Sequence, residues 1–215
     1  MVQKKSKPAE AGPRRRGRPR QYDPERALAA AAKVFWKKGY AAASLDDLAA
    51  ATGMNRPSLY AAFGDKRDLY IRTLQRYRDE GRAMTLRLLD DHPTLRVFLK
   101  RFYDTALDIY LSGGDDARGC YSISTAPAQA TTDPAVRAFL AESVGATDAF
   151  LTGLIGKARD RGEIAADAEP SVLAQVATAT MHTIAVRARA GVSRKELAAL
   201  AAGAIDVICG PPSRR

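Results

Sequence analysis

The chain has 215 residues, 46% of them hydrophobic and 7% aromatic, and 34 Lys or Arg against 24 Asp or Glu leave a formal net charge of +10. That length holds one mid-sized domain or two small ones with a real core, and alanine-rich stretches without runs of Val, Ile and Thr point to an all-helical protein. Cys120 and Cys209 show neither CxxC pairing nor metal-like spacing to His92 or His182, which argues against a disulfide framework, a metal centre or a cofactor and fits a reducing, cytoplasmic compartment.

Residues 1–21 form a basic arm of Lys, Arg, Pro and Gly with almost nothing to bury, and disorder is expected there. The first 22 residues carry eight Lys or Arg against the single acid Glu10, so most of the net charge sits ahead of a near-neutral body. The arm runs into RQYDPERA and not into an apolar stretch, so no secretory signal is read, and no apolar run near the roughly 18 residues of a membrane span is expected.

Helical pattern begins at Asp23-Pro24, a cap followed by proline in the first turn, and Leu28, Ala31, Ala32, Phe35 and Trp36 form its apolar stripe as far as Lys37-Lys38-Gly39. Residues 44–63, SLDDLAAATGMNRPSLYAAF, read as two short helices joined by one tight turn. Ser44 and Asp47 are spaced as a capping box, Gly53 stands where the chain must bend, and Asn55 caps the second helix with Pro57 in its first turn. Leu59 and Phe63 point to the core and leave Arg56, Ser58, Tyr60, Ala61 and Ala62 facing outward or partly so. A plain helical hairpin has the same pattern.

Gly64-Asp65 opens a long helix from about Lys66 to Leu89, and His92-Pro93 is expected to start the next. SGGDDARG, residues 112–119, reads as a loop, and a short helix follows from about Cys120 to Ala128. Asp133-Pro134 caps a helix that ends near Gly162. Two more, at about 170–190 and 193–209, are apolar around most of their circumference, as helices buried against another chain often are.

ALAAAAKVFWKKGYAAASLDDLAAATGMNRPSLYAAFGDKRDLY resembles the DNA-binding domain of the tetracycline-repressor (TetR) family, with FWKKGY, SLDDLAAATGMN, SLYAAFGDK and RDLY in order at the family's spacing. The resemblance covers the first 77 residues; RGCYSISTA (118–126) is also similar to a segment found in one branch. It implies an all-α fold in three parts: the arm (1–21), a three-helix DNA-binding domain with a helix-turn-helix (22–66), and a larger helical ligand-binding and dimerisation domain (67–210). It further implies a homodimer, paired through the helices at 170–190 and 193–209, that represses transcription from a palindromic operator until a small molecule binds.

Residue by residue, the resemblance implies that Ser44 meets a phosphate at the start of the first motif helix, and that Tyr60 and Lys66 touch the DNA backbone. Asn55, Arg56, Pro57 and Ser58 form the exposed start of the recognition helix, with Arg56 the best placed to read a guanine edge. Ala61 and Ala62 stand where the family often has longer polar readers. Arg14, Arg16, Arg18 and Arg20 surround GRPR, which resembles the minor-groove core of AT-hook peptides, although a charged tail also attracts phosphates without selectivity.

In the second half, Phe98, Phe102, Tyr110, Tyr121, Met181 and His182 are candidates to line a small-molecule pocket, a role to be weighed against ordinary core packing. Cys120 is either a sensor thiol within that pocket or a small buried residue. A nonspecific architectural DNA-binding protein driven by the arm is the alternative reading. An enzyme is not expected, because no base–nucleophile pair, phosphate loop or metal cluster is present.

Deletion of residues 1–20 should weaken DNA binding and flatten the dependence of log K on log salt concentration, as measured by fluorescence anisotropy across a salt series. An unchanged slope contradicts a role for the arm.

Overall fold

The computed structural model describes residues 23–113 and 119–211, and the arm and the C-terminal tail lie outside them. Among the described residues the chain is helical without strands: α1 Pro24–Ala42, α2 Leu45–Thr52, α3 Arg56–Phe63, α4 Lys66–Arg87, α5 Leu95–Leu111, α6 Tyr121–Ala130, α7 Pro134–Asp160, α8 Pro170–Arg189 and α9 Arg194–Cys209.

Local chemistry sets most of these boundaries. Asp23 accepts from the amides of Glu25 and Arg26 at the start of α1, and Gly39 (φ 76°, ψ 169°) breaks the helix, so only a short turn continues to Ala42. Ser44 and Asp47 complete a reciprocal capping box on α2, and Asp65 and Asp68 do the same on α4. Gly53 ends α2 in the left-handed region (φ 66°, ψ 18°), a conformation that glycine adopts without a Cβ clash.

Two expectations need correction. The fifth helix does not start at His92-Pro93: His92 adopts φ 49°, and Thr94 caps α5 at Leu95 through the amide of Val97. Proline disfavours helical geometry in the residue before it, so His92 closes the turn after α4 instead of opening α5. In addition, α7 is long and apolar enough to cross a membrane by length and composition, with a mean hydropathy of 1.3 over its most apolar window. Scattered charges hide this in a search for continuous runs. In the fold, α7 packs along α8 and α6.

Two cores share the side chains. The first joins Ala31 and Phe35 of α1, Leu48 of α2, Leu59 and Phe63 of α3, and Leu69, Tyr70 and Leu74 of α4, and it reaches Tyr121 and Ala126 of α6 and Val136 and Phe139 of α7. The second is built by α5, α7, α8 and α9 around Phe98, Leu99, Leu107, Leu151, Ile155 and Ile184. Gly119 seats the start of α6 on α8, where a Cβ would lie 2.5 Å from the Ala185 carbonyl oxygen.

Polar contacts near the start of α4 tie it to the second half. Tyr70 donates to Thr125 Oγ1 (2.7 Å), the Thr73 and Tyr121 hydroxyls pair at 2.7 Å, and Arg67 grips Asp133 through Nε (2.5 Å) and Nη2 (2.9 Å). Asp133 also caps α7 by accepting from the amides of Ala135 and Val136. The Arg67 guanidinium, helped by these amides, lowers the Asp133 carboxyl to about 2 from its ordinary 3.8.

A depressed carboxyl pKa stabilises the fold above its ordinary value, and the contribution fades as pH falls through about 2. Asp133→Asn keeps an acceptor for the cap but loses the charge. At neutral pH it should lower stability by roughly 1–2 kcal/mol, discounted because the guanidinium is partly exposed. Asp133→Ala should lose the cap as well and cost about 1 kcal/mol more. Denaturant unfolding should show the difference between wild type and Asp133→Asn shrinking from pH 5 to pH 2; a constant difference contradicts the assignment.

Candidate nucleic-acid interface and internal cavity

The α2–turn–α3 unit presents the start of α3 on an exposed surface. Asn55 Oδ1 accepts from the Ser58 amide (2.9 Å), which fixes the first turn, while Arg56, Pro57, Tyr60 and Ala61 are exposed and Ser58 is half-buried. Tyr60 leaves 47% of its surface open although its ring is large and apolar. Leu59 and Phe63, on the opposite side, are buried and anchor the helix.

Ser44 is engaged in its own cap: its hydroxyl accepts from the Asp47 amide (3.1 Å) and donates to Asp47 Oδ2 (2.8 Å). Asp47 also takes Lys38 Nζ at 2.6 Å, and that contact, followed by the Ser44 bonds, holds its carboxyl far below the ordinary range. Lys66 lies across the Tyr40 ring, 4.6 Å from its centroid, with Nζ 3.4 Å from the Ala41 carbonyl oxygen; burial lowers its pKa. It is therefore a seated cation and not a freely solvated one.

Arg56 is joined to Asp46 at the start of α2, with Nε 2.9 Å and Nη2 2.6 Å from Oδ1 and Nη2 2.6 Å from Oδ2. The contact links the first turns of the two motif helices. Reasoning from the sequence did not identify Asp46, whose partner lies ten residues on and across a turn. Arg14, Arg16, Arg18 and Arg20 lie outside the described residues.

Away from this surface, a cavity of about 700 Å³ opens between α1, α4, α5, α6, α7 and α8. Of the residues picked out from the sequence, Phe102, Tyr110, Cys120, Tyr121, Met181 and His182 line it. Phe98 does not; it is fully buried, its ring 5.9 Å from that of Phe102 and 6.1 Å from that of Phe150. Trp36, part of the apolar stripe of the first helix, also lines the cavity, as does Tyr77 of α4. Their rings stand 5.7 Å apart, edge to face, and each lies within 6 Å of Tyr121.

The charged residues of the lining, Lys33, Arg76, Arg78, Glu80, Arg82 and Glu142, are exposed or only half-buried. Arg76 pairs with Glu25 and Glu80, and Arg78 with Asp79 and Glu142. The deeper wall is neutral. Burial raises the Tyr77 and Tyr110 hydroxyls well above 10 and lowers His182 below 6.5, so both phenols and the imidazole are uncharged at neutral pH. Burial also pushes the Cys120 thiol up, and Tyr77 contacts its Sγ at 3.6 Å; a protonated, enclosed thiol is the opposite of an activated one. Two buried polar atoms of lining residues, Trp36 Nε1 and Ser143 Oγ, have no hydrogen-bond partner among the described residues.

Residues 27–73 match the family model described as "Bacterial regulatory proteins, tetR family", and residues 92–203 match "Tetracyclin repressor-like, C-terminal domain". The chain is 30% identical over 194 residues to the HTH-type transcriptional repressor BdcR of Escherichia coli (strain K12), covering 89% of this chain and 92% of that one. It is 29% identical to the HTH-type transcriptional repressor ComR of the same organism, covering 86% and 89% of the two chains. A solved structure of the TetR family regulator CifR, a cysteine mutant in complex with 26-bp operator DNA, superposes with a TM-score of 0.77 at 30% identity, covering 87% of this chain and 98% of that one.

Proposed function

Because this chain belongs to the tetR family of bacterial regulatory proteins and is a DNA-binding transcriptional regulator, we propose that it is a cytoplasmic, homodimeric repressor released from a palindromic operator by a small molecule. The observation that carries the reading is the cavity: its wall includes Ala29, Ala32, Lys33 and Trp36 of α1, the helix on which the helix-turn-helix packs. A guest there touches both halves of the protein at once.

In this reading α3 enters the major groove, with Arg56 at the base edges and Ser44, Tyr60 and Lys66 at phosphates. The arm adds a contact from Arg14, Arg16, Arg18 and Arg20. Residues 22–66 serve as the DNA-binding domain and 67–210 as the ligand-binding and dimerisation domain. The second copy docks on α8 and α9, where Val172, Val186, Leu200 and Val207 are exposed apolar residues. Four helices then pack about the two-fold axis and set the two α3 helices for successive major grooves.

The neutral deep wall, lined with aromatic rings, favours an uncharged, largely apolar effector. Phe102, Tyr110, Cys120, Tyr121, Met181 and His182 are its proposed neighbours. Binding shifts α1 and α4 together, because the effector stabilises the arrangement that holds it better.

Selection from a randomised duplex pool should yield an inverted repeat that is protected in the presence of excess competitor DNA and carries two chains, or a multiple of two, per site. Protection of no preferred sequence supports the architectural alternative instead. Trp36 is the one tryptophan in the chain and lines the cavity. Any neutral aromatic compound that releases the selected duplex should therefore change its emission; release without a change in emission contradicts the proposed site.

A further inference from the structure

The bond between Arg56 and Asp46 has a specific geometry. Asp46 takes the side edge of the guanidinium, Nε and Nη2, and Nη1 points away from the carboxylate. The planar guanidinium has a second face, the Nη1–Nη2 end, whose parallel N–H groups match the O6 and N7 acceptors of guanine. Asp46 thus occupies Nε and, through both carboxylate oxygens, Nη2, and Nη1 is the nitrogen it leaves to a base. The side chains also remain exposed, 55% for Arg56 and 75% for Asp46, so the pair does not withdraw the guanidinium from the surface.

We infer that Asp46 is a positioning residue for base reading: it buttresses Arg56 from the side so that the guanidinium end faces a guanine in the major groove. The inference rests on the reading of α3 as the recognition helix.

A free arginine loses much rotamer freedom when it docks, and a carboxylate that holds it beforehand removes part of that loss. Asp46 sits in the first turn of α2, where the helix dipole favours a negative charge and fixes the buttress. An unpaired carboxylate on a surface facing phosphates is repelled, whereas one paired to Arg56 is neutralised. Stability gives no competing reason for the pair, because exposed ion pairs add little. Sequence specificity at one base pair is what the arrangement can supply, with Ala61 and Ala62 too short to share the task.

The test uses the full chain and the duplex chosen by wild-type protein from a randomised pool. Wild type, Asp46→Asn, Arg56→Ala and the double variant are titrated against that duplex and against single guanine-to-adenine and guanine-to-7-deazaguanine replacements. Wild type should discriminate at one guanine per half-site by roughly tenfold or more. Arg56→Ala should abolish that discrimination. Asp46→Asn should reduce it at least several-fold at the same position only, and the double variant should match Arg56→Ala. Thermal unfolding of Asp46→Asn should stay within a degree or two of wild type, which separates positioning from a structural role.

Wild-type discrimination retained in Asp46→Asn while Arg56→Ala loses it overturns the buttress and leaves the reading of α3 intact. A uniform loss at all positions in Asp46→Asn overturns it too. Full discrimination in Arg56→Ala, or no sequence selected by wild type, overturns both.

Discussion

Two hydroxyl pairs inside the protein, Tyr70 with Thr125 and Thr73 with Tyr121, hold α4 against α6, and the placement of everything else follows from them. Tyr70, Thr73 and Tyr121 are fully buried, and because Thr73 and Thr125 also donate to the Tyr70 and Tyr121 carbonyl oxygens, breaking a pair leaves the tyrosine hydroxyl without its partner, at about 1–3 kcal/mol each. The register between the two helices is therefore narrowly defined. The first half of α4 forms the floor of the helix-turn-helix core, while α6 begins at the cavity wall. One rigid joint thus belongs both to the surface that meets DNA and to the space proposed for the effector.

Aromatic rings extend this joint in both directions. Lys66 sits on Tyr40, Tyr40 packs 5.0 Å from Tyr70, Tyr70 meets Tyr121 at 6.3 Å, and Tyr121 lies beside Trp36 and Tyr77 in the cavity wall. Close-packed rings cannot slide independently, so a guest that displaces Trp36 or Tyr121 is resisted along the whole row. The Arg67–Asp133 pair braces α4 against the start of α7 from the outside. The proposed release from DNA then needs no long pathway: the cavity is lined by α1 and α4, the helices on which α2 and α3 pack.

The sequence disclosed what is local. Ser44 with Asp47, Gly53, Asn55 and Asp65 are caps and turns whose partners lie within four residues, and each stands where its chemistry places it. At the start of α5, His92-Pro93 looks like a cap followed by proline, whereas the steric demand of proline on His92 leaves the opening to Thr94. What the sequence concealed depends on the angles at which helices cross. Phe98 and Phe102 are equal members of one apolar stripe, yet only Phe102 reaches the cavity. Trp36 looks like core and is wall. The Asp46–Arg56 contact forms only once the Gly53 turn brings two helix starts together, and no periodicity announces it.

The most direct test of the joint is a double-mutant cycle on operator affinity, with Thr73→Val, Tyr121→Phe and the pair together, measured by anisotropy where all variants are folded. If the Thr73–Tyr121 bond orients the DNA-binding helices, each single change weakens binding several-fold and the double variant binds about as well as either single one. Affinities equal to wild type, or losses that simply add, would contradict the account.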